Sequence, residues 1–332
     1  MLKPGPRNLV TDVAGLLVGH ATDAAAETGV TVVLCEDHYC AGADVRGGAP
    51  GVREIETLSP ENLVGRAHAF VLTGGSVFGL AAADGAVQAL ADRGVGYAAR
   101  GGGVSVPIVP AAVIFDLANG GDKNWGATPP YHALGRAAVA AAAQTFEIGR
   151  VGGGRGARAG LHWGGLGSAS LDLGGGLVAG AVVVNNAVGS AFMPDGRTPW
   201  AYPFEIGGEF GGPYVPQPAP IDDPLPDQSK LAGMGRLAAG ANTTIGLVAV
   251  SADLSTAELK RIAMMAHDGL SRAVRPAHTP FDGDAIFAVS TARVALADGL
   301  ERALQLARIG SAAADCLTRA IARGVHAAAK EG

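Results

Sequence analysis

Charge is scarce in this chain: Asp, Glu, Lys and Arg make up 17% of its 332 residues, and the formal net charge is -5. No run of basic residues occurs, which excludes the electrostatic footprint of a nucleic-acid-binding protein. Cysteine is limited to Cys35, Cys40 and Cys316. Three thiols without a C-x-x-C spacing form neither a disulfide framework nor a metal-ligand set, and reduced cysteines suit the cytoplasm. No apolar run approaches the ~20 residues that a membrane span needs; the alanine-rich run 136–143 is far too short. Met1-Leu2-Lys3-Pro4-Gly5-Pro6 lacks the apolar core of a signal peptide. The expectation is a soluble, cytoplasmic protein with no nucleic-acid or membrane partner, no metal and no cofactor.

Aromatic residues are also few, at 5%, whereas hydrophobic residues reach 48% and glycine occurs 51 times. That composition describes a globular chain with a core of small side chains. Nothing marks a domain boundary, so 1–332 reads as one domain of mixed strands and helices. Segments 28–34 and 69–73 have the β-branched, apolar character of strands. Gly74-Gly75-Ser76 reads as a turn and 77–91 as a helix capped by Ser76. The N–H groups at that helix start are candidates for binding an anion or a carbonyl oxygen, although the spacing of a dinucleotide site is absent. Asp44-Val45-Arg46-Gly47-Gly48-Ala49-Pro50-Gly51 is a turn-rich loop with a charge pair and no G-K-[ST], so it is not a phosphate cradle. The proline-punctuated stretch 104–116 suits edge strands or a bend, and an alanine-rich helix starts near His132. Segment 180–184 is a buried strand ending at Asn185-Asn186, a residue type common in turns. Ser255-Thr256-Ala257-Glu258 is a capping box; it opens a helix to about Val274 that Arg275-Pro276 stops. A strand over 285–291 and a last helix over 309–329 complete the chain. His20 reads as structural, since no second ligand sits at metal spacing, and His267 and His278 are taken as structural too.

The stretch Gly240-Ala241-Asn242-Thr243-Thr244-Ile245-Gly246-Leu247-Val248-Ala249-Val250 runs from small polar residues into a buried strand. A threonine at the mouth of such a strand is, by itself, an ordinary strand former. Upstream, 206–240 is crowded with Gly, Asp and proline (Pro213, Pro216, Pro218, Pro220, Pro224 and Pro226). It reads as an extended, exposed connection and a natural place for a chain break. In Ala277-His278-Thr279-Pro280-Phe281-Asp282-Gly283-Asp284, two carboxylates flank one glycine without the rest of an EF-hand pattern. They are turn residues, or a close acidic pair whose pKa values are pushed apart.

Asn242-Thr243-Thr244-Ile245-Gly246 resembles the processing site of the self-cleaving N-terminal-nucleophile aminopeptidases. That family includes L-aminopeptidase/D-Ala-esterase/amidase, β-peptidyl aminopeptidases and nylon-oligomer endo-hydrolases. The resemblance spans nearly the whole chain and is strongest over 243–291. It implies an α+β fold, a single-domain four-layer αββα sandwich. It also implies cleavage between Asn242 and Thr243 into chains 1–242 and 243–332, and a homo-oligomer of processed units. Thr243 would be the nucleophile, Asn186 the oxyanion donor, and Asp282 and Asp284 the groups that orient the new terminus. Tyr131 would stand near the nucleophile against the substrate; read alone, it is an interface or capping tyrosine. The chemistry is coherent: a hydroxyl needs an adjacent base, and a freed α-amine of reference pKa about 8 can take its proton. The implied activity is hydrolysis of small peptides, amides or 6-aminohexanoate oligomers. An acyltransferase of the ornithine-acetyltransferase type and a scaffold without turnover are the alternatives. The departure from the family lies at 152–163. Relatives carry lysines there, one of them catalytic in the nylon-oligomer enzymes, where this chain has Leu161 and Trp163. No lysine occurs between Lys123 and Lys230, so a cation near the nucleophile is expected from Arg158 or His162. Arginine cannot act as a base.

Overall fold

In the computed structural model, residues 2–98, 102–216, 223–231 and 242–331 are described. Their strands are β1 (Leu16–Asp23), β2 (Thr28–Val45), β3 (Val52–Arg53), β4 (Arg66–Thr73), β5 (Tyr97–Ala98), β6 (Ser105–Val106), β7 (Ala111–Val113), β8 (Arg158–Ala159), β9 (His162–Trp163), β10 (Leu166–Asp172), β11 (Val178–Asn186), β12 (Thr243–Ala252) and β13 (Ala285–Val294). The helices are α1 (Ala81–Ala91), α2 (Tyr131–Ala140), α3 (Thr256–Ala273) and α4 (Gly299–Ala329).

One strand organises the rest. Over its first half, β2 pairs antiparallel with β1 on one edge (Leu16 opposite Cys35) and with β4 on the other (Val33 opposite Phe70). Over its second half it pairs with β13, Ala43 lying opposite Phe287. The hydrogen-bonded path β10-β11-β12-β13-β2-β4-β7-β3 therefore passes through β2 and folds into two facing halves. Side-chain alternation then sorts residues into layers. Val33, Phe70 and Leu72 meet Val182, Val184, Ile245, Leu247 and Phe287 in the interior between the halves. Val30, Val32, Ala69 and Val71 point outward onto α1 and α2. Val183, Val248 and Val250 point the other way, onto Leu259 and Ile262 of α3 and Leu317 of α4. The order helix, sheet, sheet, helix is the expected αββα sandwich. Each large apolar side chain so buried contributes about 1.5–3 kcal/mol relative to exposure.

The small-residue composition has a direct use in the helix layers. A Cβ on Gly85 of α1 would lie 2.0 Å from the His132 carbonyl oxygen, and one on Gly135 of α2 would lie 2.1 Å from that of Ala82. The helices approach until backbone meets backbone, which needs glycine rather than aromatic filling.

Several sequence expectations hold in detail. Ser255 Oγ accepts from the Glu258 N–H at 3.3 Å and the Ser255 N–H donates to Glu258 Oε2 at 2.8 Å, the expected capping box of α3. Others need correction. Ser76 does not cap the helix of 77–91; it sits at φ 51° and opens a 3-10 turn, Ser76–Leu80, that precedes α1. The N–H groups of Gly74, Gly75 and Ser76 donate to Gly29 O, Asp116 Oδ1 and Ile114 O, so these three amides hold the turn together and do not bind a ligand. The last helix begins at Gly299, ten residues before the expected start. Its first turns carry apolar residues at helical spacing (Leu300, Ala303, Leu304, Ala307), yet Leu300 and Leu304 are exposed and only Leu306 packs against the core; Arg302, bidentate on Glu258, ties these turns down at 2.6 and 2.9 Å. The 206–240 connection is not wholly exposed, since Phe210 is buried in the α3–α4 layer. Pro218, Pro220 and the Gly240-Ala241 lead-in lie outside the described residues. Among the described residues, no helix is long and apolar enough to cross a membrane.

Candidate active site

Sheet register brings the expected residues together. Asn186 at the end of β11 lies opposite Thr243 at the start of β12, and Asn185 lies opposite Thr244. Asn242 forms a parallel bridge with Asp282, which places the 278–284 loop along the other side of Thr243. The 44–51 loop closes over that loop: the N–H groups of Arg46 and Ala49 donate to the carbonyl oxygens of Asp284 and Asp282 at 2.9 and 2.8 Å. Its Asp44–Arg46 pair, 2.6 Å apart, is the salt bridge read from the sequence.

Thr243 is 2% exposed, and its hydroxyl hydrogen-bonds to the carbonyl oxygen of Asn242, the residue just before it. The same oxygen accepts the Gly283 N–H at 2.9 Å. The carbonyl of the Asn242–Thr243 bond is thus held between a hydroxyl and a backbone donor.

The carboxylates have different surroundings. Asp282 Oδ1 accepts the Val188 N–H at 3.0 Å, and Oδ2 accepts the N–H and hydroxyl of Thr279 at 2.9 and 2.7 Å. Burial, reinforced by the neighbouring Asp284 charge, pushes the Asp282 carboxyl above its ordinary range despite these donors. Asp284 Oδ1 takes the Thr244 N–H at 2.7 Å, and Oδ2 takes the His278 ring Nδ1 at 2.8 Å and its N–H at 3.1 Å. His278, read as structural from the sequence, therefore belongs to the site.

Asn186 is fully buried. Its Oδ1 accepts the Arg158 N–H at 2.9 Å and the Asn119 side-chain amide at 3.1 Å; its Nδ2 donates to Phe115 O at 3.1 Å. Two donors on the oxygen fix the orientation of the amide. Tyr131 is also fully buried, with its ring beneath Gly75, where a Cβ would come within 2.1 Å of it. Its hydroxyl lies 3.3 Å from Thr28 Oγ1, which donates at 2.6 Å to Asp116, and burial raises both the tyrosine and that carboxyl.

Thr243 opens onto a cleft of about 390 Å³. Pro50, Val52, Val77, Leu80, Val113 and Phe115 supply most of its apolar wall, and its lining residues are all neutral.

The two cations expected near Thr243 are engaged elsewhere. The Arg158 guanidinium lies 3.9 Å from the Trp163 ring centroid, beside that of Arg150 at 3.7 Å, and His162 Nε2 lies 2.9 Å from Gln228 Oε1. The cation that does approach is Lys230, whose Nζ donates to the Asn186 carbonyl at 3.2 Å. Sequence reasoning missed it because an isolated lysine in a proline-rich connection has no spacing to read. Gly283, a turn glycine between two carboxylates, was missed likewise. Among the described residues, no group of three or more His, Cys, Asp or Glu side chains is placed to hold a metal ion.

Comparison with known proteins gives the family. The model of peptidase family S58 matches residues 8–331. The chain is 42% identical to an "uncharacterized aminopeptidase" of Mycobacterium tuberculosis over 334 residues, covering 96% of this chain and 93% of that one. It is 32% identical to the 6-aminohexanoate-oligomer endohydrolase of a Kocuria species, covering 88% of this chain and 77% of the relative. Among solved structures, a Burkholderia β-aminopeptidase superposes with a TM-score of 0.70 at 22% identity, over 98% of this chain and 88% of the other. The L-aminopeptidase D-Ala-esterase/amidase of Ochrobactrum anthropi, described as a variant of the Ntn hydrolase fold, gives 0.66 at 21% identity, over 97% and 86%. Those two likenesses are of fold. The chain belongs to peptidase family S58.

Proposed function

We propose that the chain cleaves itself between Asn242 and Thr243 into chains 1–242 and 243–332, and that the freed Thr243 hydrolyses linear amides. The reading is carried by the contact at that bond, where the Thr243 hydroxyl sits on the Asn242 carbonyl and the Gly283 N–H donates to the same oxygen. In the first reaction Oγ adds to the Asn242 carbonyl carbon while Gly283 stabilises the oxygen. The C–N bond breaks, the hydroxyl proton passes to the departing amine, and water hydrolyses the resulting ester.

The product carries nucleophile and base on one residue. The Thr243 amine takes the hydroxyl proton as Oγ attacks the substrate carbonyl, and returns it to the leaving amine. Water then releases the acyl group. Asn186, opposite Thr243 and fixed through its Oδ1, is the oxyanion donor; Asp282 and Asp284 hold the new terminus. Tyr131 does not line the cleft; it bears on the substrate indirectly, its ring packed under Gly75, the residue before Ser76 of the cleft wall. The names of the relatives, uncharacterized aminopeptidase and 6-aminohexanoate-oligomer endohydrolase, both denote cleavage of amide bonds, and the neutral cleft suits an acyl part that is apolar and uncharged.

The test is the intact mass of the purified protein beside its Thr243→Ala variant. Two fragments meeting at Asn242/Thr243 in the wild type, and one chain in the variant, are expected. One unbroken chain in both would overturn the reading. Screening amides with a competing amine present then separates hydrolysis from acyl transfer.

A further inference from the structure

Lys230 has no part in the reaction just described, yet it is seated between two of its members. Its N–H donates to Val188 O at 2.9 Å, and the Val188 N–H donates to Asp282 Oδ1 at 3.0 Å. Its Nζ donates at 3.2 Å to the carbonyl of Asn186, the residue opposite Thr243. The preceding Gln228 is tied to the 160–163 turn: its carbonyl accepts the Leu161 N–H at 3.1 Å, and its side chain meets His162 at 2.9 Å. The position is therefore built, with backbone bonds on both sides of the side chain.

Two charged groups act on this ammonium. Asp282 attracts it and Arg158 repels it, while burial, the largest influence, lowers the lysine to about 7. Arg158 is stacked on Trp163, and Asp284 is engaged by His278 and the Thr244 N–H. Asp282 has the opposite difficulty: burial and the Asp284 charge both resist its ionisation. A cation lodged nearby relieves that resistance, because an opposite charge favours the ionised carboxylate.

We propose that Lys230 is a positioning residue of the Thr243 site: its ammonium, anchored on the Asn186 carbonyl, keeps Asp282 ionised and thereby sets the lower pH limit at which the site works. The inference rests on the Thr243 reading for its effect on cleavage, but not for its effect on Asp282. Removing the charge should raise the Asp282 titration by on the order of one pH unit, the size of a Coulomb interaction a few ångströms beyond contact at an effective dielectric near 20.

Amide hydrolysis by processed wild-type, Lys230→Met and Lys230→Arg proteins, on one substrate found by screening, is followed from acid to alkaline pH. The acid midpoint should rise by on the order of one unit in Lys230→Met and return to the wild-type value in Lys230→Arg. Coincident wild-type and Lys230→Met profiles would overturn the proposal. Lys230→Gln repeats the neutralisation should methionine not be accommodated. A second readout needs no cleavage: an NMR titration of the labelled Asp282 carboxyl in the Thr243→Ala chain, with and without Lys230→Met. The same upward shift is expected there. An unmoved Asp282 would overturn the proposal even if the wild-type chain never processes, so the two failures are distinguishable.

Discussion

Gly283→Ala isolates the geometry of the scissile bond. The glycine does not occupy a left-handed backbone conformation, so alanine brings no dihedral penalty. Its Cβ would instead fall 2.7 Å from Thr243 Oγ1, 2.7 Å from the Ala49 carbonyl oxygen and 3.2 Å from Pro50 Cα. Two of those neighbours are backbone and the third is a side-chain oxygen that can rotate, so the hydroxyl should move off the Asn242 carbonyl. Overpacking of this kind costs about 1–3 kcal/mol, which the fold should survive. Cleavage is more sensitive: misplacing a reacting group by ~1 Å costs about 10²-fold, and disturbing an oxyanion donor costs about 10²–10³-fold. Fragment appearance from newly synthesised Gly283→Ala, timed by intact mass, should therefore slow by about 10²-fold or more. The thermal transition should shift only modestly. A folded variant that cleaves at the wild-type rate would refute the claim that Gly283 and the hydroxyl position act together on that carbonyl.

Other expectations follow from the same contacts. Asn186→Ala should lower the turnover rate of amide hydrolysis by about 10²–10³-fold, checked with the processed protein and one substrate found by screening. Ser255→Ala should cost about 1 kcal/mol of stability by denaturant titration, since the hydroxyl caps α3. Glu258 is held at about 2, below its ordinary 4.5, chiefly by the hydrogen bond from Arg302. Its contribution to stability is present above pH 4.5 and is lost as pH falls from there toward about 2, and the acid side of a Tm-versus-pH curve should flatten in Glu258→Gln. Gly135→Val should destabilise strongly, because its side chain would start 2.1 Å from the Ala82 carbonyl oxygen.

What the sequence made legible follows from how local each signal is. The α3 capping box, the strand into Val250 and the paired carboxylates are encoded within a few residues, and the structure has them in place. Asn186, Thr243, Asp282 and Asp284 were implied by resemblance, and the structure sets them side by side through the β11–β12 register, the Asn242–Asp282 bridge and the Thr244–Asp284 hydrogen bond. Lys230 was illegible because its place depends on pairing with Val188, far away in sequence. His278 was read as structural, whereas its partner is the Asp284 carboxylate, six residues on. Ser76 failed as a cap because Asp116, forty residues on, captures the Gly75 amide and turns the chain differently. The start of α4 was placed too late although Leu300, Ala303, Leu304 and Ala307 already have helical spacing; Leu300 and Leu304 are exposed, and only Leu306 of these turns reaches the core. Capture by residues distant in sequence is what a local reading cannot see.

The placement of Thr243 also bears on the life history of the protein. A cut before it would sever the chain at the mouth of β12, a strand with neighbours on both edges, and would leave β12, β13, α3 and α4 on one fragment. Those elements supply inner strands of one half-sheet and the helices that cover it, so neither fragment retains a closed core. Assembly before cleavage is a unimolecular event, whereas recovery after denaturation would require two chains to find each other. Mature molecules would then regain their form only in a concentration-dependent manner, and the durability of the processed enzyme would be a matter of how slowly it opens rather than how readily it returns.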